Sequence, residues 1–150
     1  SSAASDVYKR QTLSLILDEF YEELEQKMDK NMSSFDKLMY LNYEAHSMME
    51  EKIKVDLLSS LYSTQLVASG QRHLLDQNRN YYKLITKVVT EGQKCGEIRD
   101  DVSVLDITRY YSMCERALVY DWCLNKGIYS LGKYSKKSMP VMMEHFKTNK

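Results

Sequence analysis

An all-helical fold is what this sequence predicts, on three observations. The chain holds one proline and five glycines among 150 residues, so helix breakers are scarce. It is rich in Leu, Met, Lys, Glu and Gln, which lose little rotamer freedom in a helix. Its apolar residues recur at steps of three and four, the spacing that gathers them on one helical face. With 43% hydrophobic and 28% charged residues, a chain of this length can bury one sizeable core, and a single domain is expected.

The opening SSAASDVYKRQ lacks helical periodicity and resembles a stretch found at the ends of metagenomic translations through adapter read-through, so residues 1–11 are read as a non-native leader and residues 12–150 as the domain. From Thr12, read as an N-cap, residues Leu13, Ile16, Leu17, Phe20, Leu24 and Met28 give a first helix over 12–29. Ser33 with Asp36 has capping-box spacing, and Leu38, Met39, Asn42, Ala45 and Met49 continue a second helix to about Lys52. Val55, Leu58, Leu61, Tyr62 and Leu66 predict a third, closed by Ser69 and Gly70. After a polar connection over 71–77, Asn78 leads into a fourth helix carrying Tyr81, Tyr82, Ile85, Val88 and Val89. Gly96 ends it, with Ile98 supplying an apolar contact beyond the turn.

Ser103 and Asp106 start a fifth helix that runs to about Asn125, before Gly127. Its apolar residues occupy most of the circumference, so it must be covered on more than one side. The last segment, 130–147, carries Leu131, Tyr134, Val141, Met142 and Phe146 at helical spacing. Pro140 is expected to kink or break it.

Composition narrows the function. Lys and Arg number 21, as do Asp and Glu, for a formal net charge of zero, so the footprint of direct nucleic-acid binding is missing. No apolar run approaches the roughly 20 residues that span a bilayer, and a cytoplasmic location is expected. Cys95, Cys114 and Cys123 form no CxxC pair and read as reduced thiols. None of His46, His73 and His145 follows a Glu by three residues, and no HExxH occurs, so neither a metal nor another cofactor is expected. Glycine-rich phosphate loops and nucleophile elbows are absent as well, so no enzyme is expected. The pairs Glu22–Glu23 and Glu50–Glu51 read as solvated helix faces, since adjacent helical residues point apart. His46 either contacts a ligand or is a hydrogen-bonded structural residue. Twelve Tyr and nine Met suit either a core or the wall of a pocket for apolar molecules.

The stretch EGQKCGEIRDDVSVLDITRYY, residues 91–111, followed by YDWCLNKGIYSL, residues 120–131, resembles the C-terminal domain of TetR-family regulators. The resemblance rests on Gly92, Gln93, Gly96, Glu97, Ile98 and Arg99, then Trp122 and Gly127, with LYSTQL at 61–66 in support. It implies a six-helix effector domain whose last two helices pair with a second copy in a dimeric four-helix bundle. It also implies that DNA is reached only through a helix-turn-helix head placed ahead of Thr12. The implied effector is a small apolar or aromatic molecule. Met39, Tyr43, Tyr62, Tyr82, Tyr111 and Cys114, on the inward faces of the central helices, are the expected pocket. Met113, Ala117, Tyr120, Leu124, Leu131, Tyr134, Met142 and Phe146 are the expected dimer surface, because their helical phase departs from the pocket face. A free-standing helical module that binds a partner helix in a groove is the alternative.

Overall fold

The computed structural model describes residues 2–67, 69–70 and 72–148. Six α-helices carry the fold: α1 (Ser2–Lys27), α2 (Ser34–Lys52), α3 (Val55–Val67), α4 (Asn80–Lys94), α5 (Val104–Leu124) and α6 (Leu131–Met143). Single 3₁₀ turns follow at His73–Leu75 and Glu144–Phe146. Among the described residues the only extended pairing is an isolated bridge between Ile98 and Lys147, which ties the chain's end to the α4–α5 turn. α2 packs most extensively on α6, α4 lies against α1, α2 and α5, and α3 leans on α5.

The expected helix starts at Ser33 and Ser103 stand: each hydroxyl accepts the backbone N–H three residues on, at 3.1 Å. The start of α1 differs. It begins at Ser2 instead of Thr12, because nothing in SSAASDVYKRQ breaks a helix. Thr12 is therefore no cap; its hydroxyl donates back to the Tyr8 carbonyl at 2.9 Å, as threonines inside helices do. Pro140 also departs from expectation, since α6 runs past it to Met143. Standing one turn from the helix end, it forgoes a single donor where the ladder is about to stop.

The motif at 92–99 works as a junction. Gly96 takes φ +75°. That left-handed turn lets Glu97 N–H reach the Gly92 carbonyl and Gly96 N–H the Gln93 carbonyl, at 2.9 and 3.1 Å, closing α4 with a Schellman turn. Gly92 lies against buried Ile98, where an added Cβ would sit 2.6 Å from Ile98 Cδ1. Gln93 Nε2 donates to the carbonyls of Arg99 and Val102 at 2.9 and 2.8 Å, and Glu97 accepts the Ser34 N–H at the start of α2. At the end of α5 two successive residues are left-handed, Lys126 at φ +58° and the expected Gly127 at φ +69°. Gly127 bonds back to the Trp122 carbonyl at 3.0 Å and lies on the indole, whose Nε1–H donates to the Tyr129 carbonyl at 2.8 Å.

Glu50, expected to face solvent, instead caps α6. Its carboxylate accepts the N–H groups of Leu131 and Gly132, each at 3.0 Å, and the Ser130 hydroxyl at 2.8 Å. A carboxylate at a helix N-terminus satisfies orphan donors and complements the helix dipole. Glu50→Ala should lower unfolding free energy by about 2 kcal/mol in urea titration, from the lost charge-assisted bonds. Glu51→Ala, on the exposed side, should change it by less than about 0.5 kcal/mol; equal effects at the two positions would contradict the cap.

Candidate functional site

The inner face of α5 reads Ile107, Thr108, Tyr111, Ser112, Glu115, Leu118, Val119 and Trp122, all buried. One member is an acid. Glu115 is 6% exposed, and its carboxylate accepts the Tyr81 hydroxyl from α4 and Asn42 Nδ2–H, at 2.8 Å, from α2. His46 Nε2 stands 3.7 Å from the same oxygen as Asn42. His46 Nδ1 is 2.6 Å from the Ser135 hydroxyl of α6. With Ser135 donating to Nδ1, the ring proton sits on Nε2 and faces the carboxylate. This polar cluster joins α2, α4, α5 and α6 at the centre of the molecule.

Burial sets the charges. It pushes the Glu115 carboxyl up to about 7, against the lowering effect of the Tyr81 and Asn42 hydrogen bonds. It pushes His46 down to about 3. At neutral pH the imidazole is therefore uncharged and the carboxyl is near its midpoint. The Tyr62 and Tyr81 hydroxyls are pushed up by burial first and by the Glu115 charge second, and both stay neutral.

Beside Glu115 lies a cavity of about 50 Å³. Leu17 and Tyr21 of α1, His46 and Met49 of α2, Leu58, Leu61 and Tyr62 of α3, Leu74, Arg79 and Tyr81, and Ser112, Arg116 and Val119 of α5 complete its wall. Tyr62, Leu74 and Arg116 also line a second, outer hollow of about 340 Å³, the vestibule, which shares that wall with the first. Arg116, in the shared wall, donates from its guanidinium to the Tyr82 and Ser112 hydroxyls at 3.2 and 3.1 Å. A larger hollow, about 950 Å³ between α1 and α4, is walled mostly by charged and polar side chains such as Glu22, Lys37, Lys87 and Glu91. It is a polar surface groove, unlike the apolar concavities that bind small molecules.

Of the residues expected to form the pocket, Tyr62 alone lines this cavity. Tyr82 and Tyr111 are buried behind its wall, with hydroxyls donated to the Leu74 and Leu38 carbonyls at 2.8 Å each. Met39 and Tyr43 line a separate hollow of about 220 Å³ between α2 and α6. Cys114 is buried outside both linings. Sequence reasoning missed Glu115, Arg116 and Tyr81. A signal existed: Glu115 falls four residues after Tyr111 and three before Leu118, on the apolar face of α5, where a charge is out of place.

The opposite face of α5 is apolar and exposed. Met113, Ala117, Tyr120 and Leu124 form a stripe with steps of four, three and four, and Leu124 remains 63% and Tyr120 51% exposed. Tyr110 extends the stripe, and Tyr134 and Val141 of α6 are exposed too. Met142 is half-buried. Leu131 and Phe146, in contrast, are buried in the protomer's own core, Phe146 against the Tyr110 ring at 5.1 Å.

Among the described residues no group of three or more His, Cys, Asp or Glu is placed to hold a metal ion, and no helix is long and apolar enough to cross a membrane. Residues 14–145 match the model of a TetR C-terminal family described as YsiA-like protein, C-terminal region. No curated protein and no solved structure matches the chain.

The two titrating groups give a pH signature. A carboxyl raised by folding contributes stability that is full below its unfolded pKa and lost as pH rises through about 7. A depressed imidazole contributes stability that is full above its unfolded pKa and lost as pH falls toward about 3. Stability should therefore peak between about pH 5 and 6 as far as this pair decides it. Glu115→Gln should remove the carboxyl's share, on the order of 3 kcal/mol between pH 5 and 8 in denaturant titrations, so that stability rises over that range on the His46 contribution alone. The new amide can donate to the Asn42 side-chain oxygen, which has no donor. An unchanged slope would show that Glu115 is not the titrating group.

Proposed function

The chain belongs to the TetR family of regulators, to its YsiA-like C-terminal regulatory domains, a non-enzymatic group, and on that premise we propose that it senses a small apolar or aromatic effector and dimerises. The carrying observation is the division of α5: its inner face borders the cavity at Glu115, and its outer face presents an uncovered apolar stripe. In this reading α5 and α6 of two copies form a four-helix bundle through Met113, Ala117, Tyr120, Leu124, Tyr134 and Met142. The unit responsible is residues 12–150, with residues 1–11 a leader foreign to the natural protein. DNA contact belongs to a helix-turn-helix head carried ahead of this domain in a cytoplasmic regulator.

α1 is proposed as the lever between cavity and head. Leu17 and Tyr21 touch the cavity, while the polar positions 14, 18, 22 and 25 share one flank of the helix. From that flank the Ser14 hydroxyl meets His73 Nε2 and Asp18 faces Arg79 at 3.7 Å. Glu22 accepts from Asn80 at 2.9 Å and Glu25 from Lys87 at 3.0 Å. An effector that displaces Leu74 moves the His73–Leu75 turn and the start of α4, and with them these four contacts. A coupling of about 1 to 3 kcal/mol is enough to bias two arrangements of α1.

The test is a thermal-shift screen against a library of small apolar and aromatic compounds. A true effector at a hundred times its Kd adds about 2.7 kcal/mol and should raise Tm by roughly 5 to 10 °C in a domain of this size. Tyr62→Ala, which strips the ring shared by cavity and vestibule, should weaken that shift. If no compound raises Tm, or if shifts survive Tyr62→Ala unaltered, the cavity is not an effector site.

A further inference from the structure

The hollow of about 220 Å³ between α2 and α6 plays no part in the effector reading. Met39 and Tyr43 of α2 and Met139 and Pro140 of α6 give it apolar walls. Its size suits one aromatic ring, since a dry cavity of roughly 150 Å³ admits benzene. Two further members of the lining are polar and fully buried, Asn42 and Ser135. Asn42 commits its side-chain nitrogen to Glu115 at 2.8 Å, and no described residue donates to its buried oxygen. Ser135 donates its proton to His46 Nδ1, at 2.6 Å, so its oxygen has only lone pairs left to offer. The two buried polar groups of the hollow therefore present acceptors and no donor. A buried acceptor without a donor is costly, and an O–H or N–H carried in by a ligand relieves that cost.

Charge narrows the ligand further. Lys136 lines the same hollow, and its ammonium stands 5.0 Å from the centre of the Tyr43 ring. That cation repels a ligand bearing an ammonium group, while the Glu115 carboxyl hydrogen-bonded to Asn42 disfavours an anion beside the amide. The Asn42 oxygen is shut off from solvent, and Met39, half-buried and unbranched, is the wall residue that can move aside for a ring. Lys136 and Pro140 lie roughly 160° and 120° round α6 from Tyr134, at ~100° per residue, so pairing of two copies through Tyr134 leaves the hollow accessible.

We propose that this hollow is a second ligand site, for a neutral single-ring compound of the phenol class, which lays its ring among Met39, Tyr43 and Met139 and donates to the Asn42 side-chain oxygen. The site is separate from the cavity beside Glu115 and does not require that cavity to hold an effector. One side chain joins the two. An amide whose oxygen accepts a hydrogen bond donates more strongly through its nitrogen, so a ligand here strengthens the bond from Asn42 to Glu115.

Methionine methyl groups report where a ring settles, because an aromatic ring shifts the resonance of a methyl that it touches. The chain is isotope-labelled at its nine methionine methyls and titrated with phenol to millimolar concentration. Met39 and Met139 line this hollow, Met49 lines the cavity beside Glu115, and no methionine lines the vestibule. The expected result is a saturable shift at Met39 and Met139 with Met49 unmoved. Anisole, which keeps the oxygen and lacks its proton, should bind about tenfold more weakly, as for the loss of one buried hydrogen bond. Met39→Trp, which plugs the hollow, should abolish the shift at Met139 while circular dichroism keeps its helical form. The anisole comparison uses the unmodified chain and decides the matter even where that substitution fails to fold. No shift at Met39 and Met139, a shift confined to Met49, or equal binding of phenol and anisole overturns the proposal, and each leaves the effector reading to its own test at Tyr62.

Discussion

One acid on the inside of α5 organises the molecule. A carboxyl removed from water must be hydrogen-bonded or lose its charge, and Glu115 does some of each. Asn42 and Tyr81 supply donors, His46 stands next to it, and Ser135 holds His46 in place. Through these groups the positions of α2, α4 and α6 relative to α5 are fixed by hydrogen-bond geometry as well as by apolar packing. The arrangement sacrifices stability at neutral pH, because an uncharged leucine-like group would fill the same space without a desolvation cost. Polar groups kept in a core at such expense mark a place where specificity or function outweighs stability. Here they border a cavity with a vestibule outside it.

The helix ends show a related economy of means. Two carboxylates remote in sequence, Glu50 and Glu97, accept the first N–H groups of α6 and α2. Each cap fixes one helix against another while satisfying donors that would otherwise lack partners. The α4–α5 turn concentrates three such duties in one short stretch, with Gly92 making room for Ile98, Gln93 bracing the loop and Glu97 capping α2. The turn over residues 92–99 is thus a structural joint.

How much of this was legible in the sequence depends on the range of the interaction. Helix number, the caps at Ser33 and Ser103 and the turn at Gly96 are local, set by neighbours three to five residues away, and they could be read. The extent of α1 could not be read, because periodicity reports which face is buried and the described side chains at 4, 5, 8, 9 and 11 are all exposed. Glu50 was misread for a similar reason: its partners lie 80 residues on, at Ser130 to Gly132. The lining of the cavity beside Glu115 was the least legible part. Tyr82 and Tyr111 have the right phase to face inward, yet nearby backbone carbonyls take their hydroxyls and leave them behind the wall. The outer face of α5 was foreseen as apolar, but Leu131 and Phe146 went to the protomer's own core, because Glu50 and the Ile98–Lys147 bridge draw both ends of the last segment inward.

On the proposed reading α5 serves two bodies, its own protomer on the Glu115 side and a second copy on the Leu124 side. Sedimentation equilibrium of the unmodified chain addresses it without any ligand. Pairing through the stripe gives a single species at twice the chain mass of 17.6 kDa at micromolar concentration, dissociating only on dilution. A species at 17.6 kDa throughout, with the stripe left in water, would contradict it.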